Sequence, residues 1–194
     1  MIFLNLYTKI LVINLTNNKS NKHQIIAVDG SSSSCSTSLT ANGYKTNKKD
    51  KSITALNLGI YNVTSNTPIS IDMVSHKNER KAFIDYVKNK NNYDNHIFVF
   101  DRGFDGFQFY KSLESYEIKY VCRVKDNSSM ISDKNDNIIH VCVINSIIKI
   151  RVIRYMINNK SYYLATNLFD DKEFTIDVLT QIYHYRWTIE EKFK

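Results

Sequence analysis

The stretch Ile97-Phe98-Val99-Phe100-Asp101-Arg102-Gly103-Phe104 decides how this chain folds. Four consecutive apolar residues, all aromatic or β-branched, read as a strand buried on both faces. The run then breaks into Asp-Arg-Gly, turn chemistry that leaves a carboxylate at the strand's end. The same design stands upstream, where Ile25-Ile26-Ala27-Val28 runs into Asp29-Gly30. Alone, each aspartate is an ordinary strand-end turn residue. Together they put two carboxylates at the ends of buried strands, and in a mixed sheet such strands can lie side by side.

Working outward, Gln24–Asp29 reads as the first strand, and 30–51 as a long polar loop holding Ser31 to Ser34 and the basic cluster Lys45, Lys48, Lys49 and Lys51. That loop is either a solvated connection or one that meets nucleic-acid phosphates. Residues 52–62 and 69–74 alternate as strands, and Thr64-Ser65-Asn66-Thr67-Pro68 between them predicts a hairpin. Asn78 caps a helix that opens with Glu79 and buries Ala82, Phe83, Tyr86 and Val87. Phe107, Tyr110 and Leu113 mark a second helix, and 118–124 a fifth strand. Three strands followed by helix–strand alternation predict an α/β fold, a mixed five-stranded sheet with helices on its faces. Residues 138–143, 147–157 and 162–166 read as further strands, with a turn at Asn158-Asn159-Lys160, so 125–167 forms a β-rich insertion.

A last helix is capped by Thr175, with Asp177 in its first turn, and runs to the end of the chain. Val178, Ile182, Tyr185, Ile189 and Phe193 make its buried face, which leaves Tyr183, Arg186 and Glu190 on a flank. An aromatic hydroxyl, a guanidinium and a carboxylate on one stripe are not core composition. Two strand-end aspartates plus a helix glutamate could hold divalent metal ions against a phosphate. Glu190 is preferred to Glu191, which is rotated by about 100°. An arginine and a tyrosine beside such ions would position a phosphate backbone.

These three segments resemble the DDE transposases of the insertion-sequence-four family. The family's first aspartate matches Asp29 in Ile-Ile-Ala-Val-Asp-Gly-Ser, and its second matches Asp101 in Val-Phe-Asp-Arg-Gly-Phe. Its late Tyr-Arg-Glu signature matches Tyr183, Arg186 and Glu190, and Ala165-Thr166-Asn167-Leu168 is similar to the segment leading into that helix. The resemblance implies an RNase H-like catalytic core over 24–124, a β-rich insertion over 125–167, and a return to the core over 168–194. It implies Asp29, Asp101 and Glu190 as catalytic and metal-binding residues, with Mg²⁺, or Mn²⁺ in its place, as a pair of ions. Tyr183, Arg186 and Arg102 would meet DNA phosphates. Double-stranded DNA, both transposon ends and target, would be the partner, with a homodimer on DNA. The family's lysine would fall three positions past Lys194, and only 28 residues precede Asp29, where members carry a longer helical region. The chain therefore reads as truncated at both ends, with residues 1–23 a remnant, and is expected to nick DNA slowly and without end specificity. The alternative is an inactive remnant or repurposed DNA-binding domain of the same fold.

Bulk properties agree with that partner. A net charge of +7 and a pI of about 9.2 suit a polyanion, although an Asn-, Lys- and Ile-rich composition inflates lysine by itself. Cys35, Cys122 and Cys142 form no CxxC pair, which suits a reducing, intracellular, DNA-associated setting. Met1 to Leu15 is mostly apolar but lacks a basic start and a cleavage site, and Lys9 interrupts it, so it reads as an element packed on the body and not as an anchor.

Overall fold

The computed structural model describes residues 23–36, 38, 40, 43, 44, 46, 52–89 and 93–187. The apolar start of the chain and Lys45, Lys48, Lys49 and Lys51 lie outside them. In chain order the elements are β1 (Gln24–Cys35), β2 (Ile53–Asn62), β3 (Thr67–Val74), α1 (Glu79–Lys88), β4 (His96–Phe100), α2 (Phe107–Ser115), β5 (Lys119–Arg123), β6 (Asp136–Val143), β7 (Ser146–Ile157), β8 (Lys160–Thr166) and α3 (Ile176–His184).

All eight strands join one sheet in the order β3-β2-β1-β4-β5-β8-β7-β6. This corrects the expected five-stranded sheet. The strands of the insertion do not stand apart; β8 pairs antiparallel with β5, Val121 opposite Thr166 and Arg123 opposite Leu164. The reason is backbone satisfaction, because β5 would otherwise leave a row of N–H and C=O groups without strand partners at an open edge. Asn167 continues the pairing with its side chain, accepting from Tyr120 N at 3.0 Å and donating to Ile118 O at 2.9 Å.

The sheet is mixed as expected. β1, β2 and β3 form an antiparallel meander, whereas β1, β4 and β5 run parallel. The strand β1 is longer than its apolar run. Past Asp29 it continues through Ser31 to Cys35, paired with Ile53–Asn57 of β2. Those serines are largely exposed, so burial gave no signal of a strand there, and hairpin pairing alone extends it.

Alternate residues of β4 face two cores. Phe98 and Phe100 point toward α1 and α2, where Phe83 meets them edge-on with ring centroids 5.1 and 4.8 Å away. Ile97 and Val99 point toward α3, which covers them with Val178, Leu179, Ile182 and Tyr183. The caps are those the sequence announces: Asn78 accepts from Lys81 N at 3.1 Å, and Thr175 from Val178 N at 3.3 Å.

Candidate active site

Parallel pairing of β1 with β4 brings the two aspartates together. Ala27 lies opposite Val99 in that register, so Asp29 and Asp101, each two residues further on, fall side by side where β4 ends. Two residues before them, Val99 packs in the α3-side core and Ala27 in a small cluster with Tyr61, and strand alternation turns Asp29 away from α1.

The turn that carries Asp101 is held from three directions. The Asp101 carboxylate accepts from Gly103 N at 2.8 Å. Arg80 of α1 donates from Nε and Nη2 to Gly103 O at 3.1 and 2.9 Å. Asp105 is buried and accepts from Tyr110 Oη at 2.7 Å and from Lys125 N at 2.8 Å, tying the loop to α2 and to the chain beyond β5. Sequence reasoning assigned neither Arg80 nor Asp105 a part here. Their roles are set by long-range contacts, which leave no mark on local pattern.

Glu79 is the other residue that sequence reasoning missed, having read it only as a favourable helix start. Its side chain reaches from α1 onto the backbone of β1, so that a Cβ added at Gly30 would lie 2.5 Å from Glu79 Oε1. A Cβ at Gly103 would lie 2.9 Å from Asp101 Oδ1 and 3.4 Å from Glu79 Oε2. Partial burial raises the Glu79 carboxyl above its usual range, and the nearby charges of Asp101 and Asp29 raise it further. Glu79 and Gly30 lie far apart in the chain and meet only in the fold, so no local pattern announces the contact.

The late helix delivers Arg186 to the same place. Its Nη1 stands 3.9 Å from Asp29 Oδ1, and the residue is 6% exposed. The expected Tyr183/Arg186 flank needs correction, because Tyr183 is not free to face a site but is packed in the α3-side core at 2% exposure. The helix tightens at its end, with Arg186 N bonded to Tyr183 O at 3.0 Å, three residues back. That rotates Arg186 away from a regular 100° step and over Tyr183, 5.7 Å from its ring centroid. Burial pushes the Tyr183 phenol up, while the Arg186 guanidinium acts against the shift.

Arg102 is exposed and turns toward Asp126, at 3.9 Å, a loose surface pair of little energetic weight. Glu190, Glu191 and the lysines after them lie outside the described residues. Among the described residues, no group of three His, Cys, Asp or Glu side chains is close enough to hold one metal ion together. The donor set is nonetheless of the right chemistry for a hard cation: Asp29 and Asp101 offer carboxylate oxygens at one end of the paired strands, with Glu79 against Gly30 nearby. All three cysteines are free, and no helix of the described residues is long and apolar enough to cross a membrane.

Among curated protein sequences none matches this chain. Among solved structures, the piggyBac transposase in a synaptic complex with hairpin DNA is similar over 86% of this chain, with a TM-score of 0.52 and 12% identity. The chain spans 39% of that protein's length, and the likeness shows a shared fold. Endonuclease V from Bacillus subtilis aligns over 99% of this chain and 93% of its own, at 12% identity and a TM-score of 0.37, too low to carry an argument. The same holds for Ciona intestinalis endonuclease V bound to an inosine-containing DNA, at 0.38, 9% identity and 98% of both chains. The model of the transposase DDE domain family matches residues 20–194. That span contains both aspartates, the helices that hold their loop and the arginine beside Asp29, and on it the chain belongs to the transposase DDE domain family.

Proposed function

We propose that this chain is the catalytic part of a transposase of the insertion-sequence-four type, with an RNase H-like core, and that it cleaves and transfers DNA strands with Mg²⁺ or Mn²⁺. The observation that carries the reading is the register of Asp29 with Asp101 on adjacent parallel strands, with a buried guanidinium beside them. Asp29, Asp101 and Glu190 are the residues that would hold the ions. Bound there, divalent ions supply charge neutralisation at the phosphate and a more acidic attacking hydroxyl or water.

The chain's own residues supply the positioning. The hydrogen bonds around Gly103 and Asp105 fix the Asp101 carboxylate before substrate arrives, so little ordering remains for the reaction itself. Arg186 stands where a phosphate oxygen would meet Asp29, and its burial strengthens an attraction that water would otherwise screen. Tyr183 seats Arg186 from within the core, and Arg102, at the rim, tracks the backbone further out. The net charge of +7 favours DNA over its competitors through counterion release.

A supercoiled-plasmid assay with Mn²⁺ tests this, comparing the chain with Asp101→Ala. Nicking by the parent and a loss of about 100-fold or more in the variant is the expected result, since a metal-holding carboxylate acts mainly in the transition state. Nicking that Asp101→Ala leaves unchanged would remove the mechanism built on these carboxylates, and a parent chain that binds DNA without nicking it would leave the non-catalytic DNA-binding reading in its place.

A further inference from the structure

The eight-stranded sheet has two outer strands, and their sequences differ in kind. β3 lies at one edge with Pro68 and Asp72 in the strand, and the Tyr44 hydroxyl donates to Met73 O at 3.3 Å. A proline, a charge and a covering side chain are devices that keep an edge strand from pairing with another chain. β6 lies at the other edge and lacks them. From Asn137 to Ile148, through β6 and its turn into β7, there is no Asp, Glu, Lys, Arg or Pro.

The pairing of β6 with β7 decides which backbone groups are left over. Arg154 N donates to Asn135 O at 2.7 Å, and these two residues extend the register in which Asp136 faces Ile153. Bonded and non-bonded pairs alternate along an antiparallel ladder, so Asn137, Ile139, Val141 and Val143 turn their N–H and C=O groups to β7. Ile138, His140 and Cys142 turn theirs outward, where among the described residues no strand meets them. Ile139, Val141 and Val143 pack on the α1/α2 core, so the outward residues place their side chains on the opposite face. There Ile138 is 45% exposed, Cys142 is exposed and free, and Ile147, which pairs with Cys142, is 72% exposed. Lys149, which pairs with His140, holds its ammonium over the Phe169 ring, 4.4 Å from the centroid.

We infer that β6 pairs antiparallel with β6 of a second copy of this chain, about a two-fold axis at His140, and joins two sheets into one. That axis sets Ile138 opposite the partner's Cys142, and Cys142 opposite the partner's Ile138. In a two-fold pairing a charged strand meets its own charge; this one has none to meet between Asn137 and Val143. Two copies of a chain with net charge +7 repel at long range, and an uncharged edge adds no local repulsion to that. Eight paired residues run about 26 Å. With Ile138, Cys142 and Ile147 packed across the axis they bury roughly 600 Å² per copy, at the low end for a specific interface, so the dimer is weak and reversible. It forms without DNA and does not depend on the cleavage reading.

Sedimentation velocity without DNA, over about 5 to 200 µM chain, tests this for the parent, Ile138→Lys, His140→Pro and Ile71→Lys. The parent should shift from monomer to dimer across that range. Ile138→Lys puts a charge on the edge and should raise Kd about 10-fold or more. His140→Pro removes one outward N–H and no bond to β7, so it should fold by circular dichroism and weaken the dimer to a similar degree. Ile71, 60% exposed on β3, is the control, and Ile71→Lys should dimerise like the parent. If either β6 variant fails to fold, the other carries the test. A parent that stays monomeric, a dimer that forms only with DNA, or a Kd unchanged in the folded β6 variants overturns the inference. Loss of the dimer in Ile71→Lys alone would put the contact on β3 and overturn it as well.

Discussion

Gly30 and Glu79 show how one missing methyl group shapes this site. Gly30 lies within β1 with ordinary strand geometry, so backbone freedom is not the reason for a glycine there. The reason is space: Glu79 Oε1, Cδ and Cγ would lie 2.5, 2.6 and 2.7 Å from an added Cβ. Gly30→Ala should therefore cost about 1–2 kcal/mol by forcing the half-buried Glu79 out of place. In a Glu79→Ala background the same change should cost less than half as much, because the overlapping atoms are gone. Urea unfolding of the two single variants and the double variant checks this. Additive losses would show that the crowding at Gly30 comes from elsewhere.

Among the elements, the two hairpins of the inserted strands use the same turn with different chemistry. Asn158 and Asn159 connect β7 to β8 with φ of 48° and 61°, and Ile144 and Asn145 connect β6 to β7 with φ of 44° and 60°. Asparagine tolerates the left-handed region, and its presence made the second turn legible in the sequence. A β-branched isoleucine does not tolerate it, and Ile144 gains nothing in return, since it is 68% exposed. Replacing it as Ile144→Asn should raise stability by about 1 kcal/mol, read as a higher urea midpoint with an unchanged slope. An unchanged or lower midpoint would mean that Ile144 makes a stabilising contact that the fold does not display.

For the whole molecule, one buried arginine joins the inserted strands to the rest. Arg151 of β7 is 2% exposed and binds Asp136 of β6 through Nε at 3.0 Å and Nη2 at 2.6 Å. Its Nη1 donates to Leu168 O at 3.1 Å and Phe174 O at 2.8 Å, in the segment that leads into α3. The helix that delivers Arg186 to Asp29 is thus seated on the inserted part of the sheet. Arg151→Ala should destabilise the chain by about 3 kcal/mol, because two carbonyls and a carboxylate lose their donors. It should also weaken DNA binding in proportion to the disorder it brings to α3, seen as faster amide exchange over 176–186. Loss of stability without faster exchange there would separate the clamp from the site. The order and type of nearly every described element can be read from the residues alone, because apolar runs, alternation and caps are local signals. The sequence also shows Asp29 and Asp101 at the ends of two buried apolar runs, because a charged residue closing such a run is visible without a fold. That β8 extends the sheet beyond β5, that Tyr183 is core, that Glu79 stands near the two aspartates and that Asp105 ties down the loop of Asp101 came from the fold alone. Those facts depend on strand register and on contacts between residues far apart in the chain, and no window along the sequence contains them.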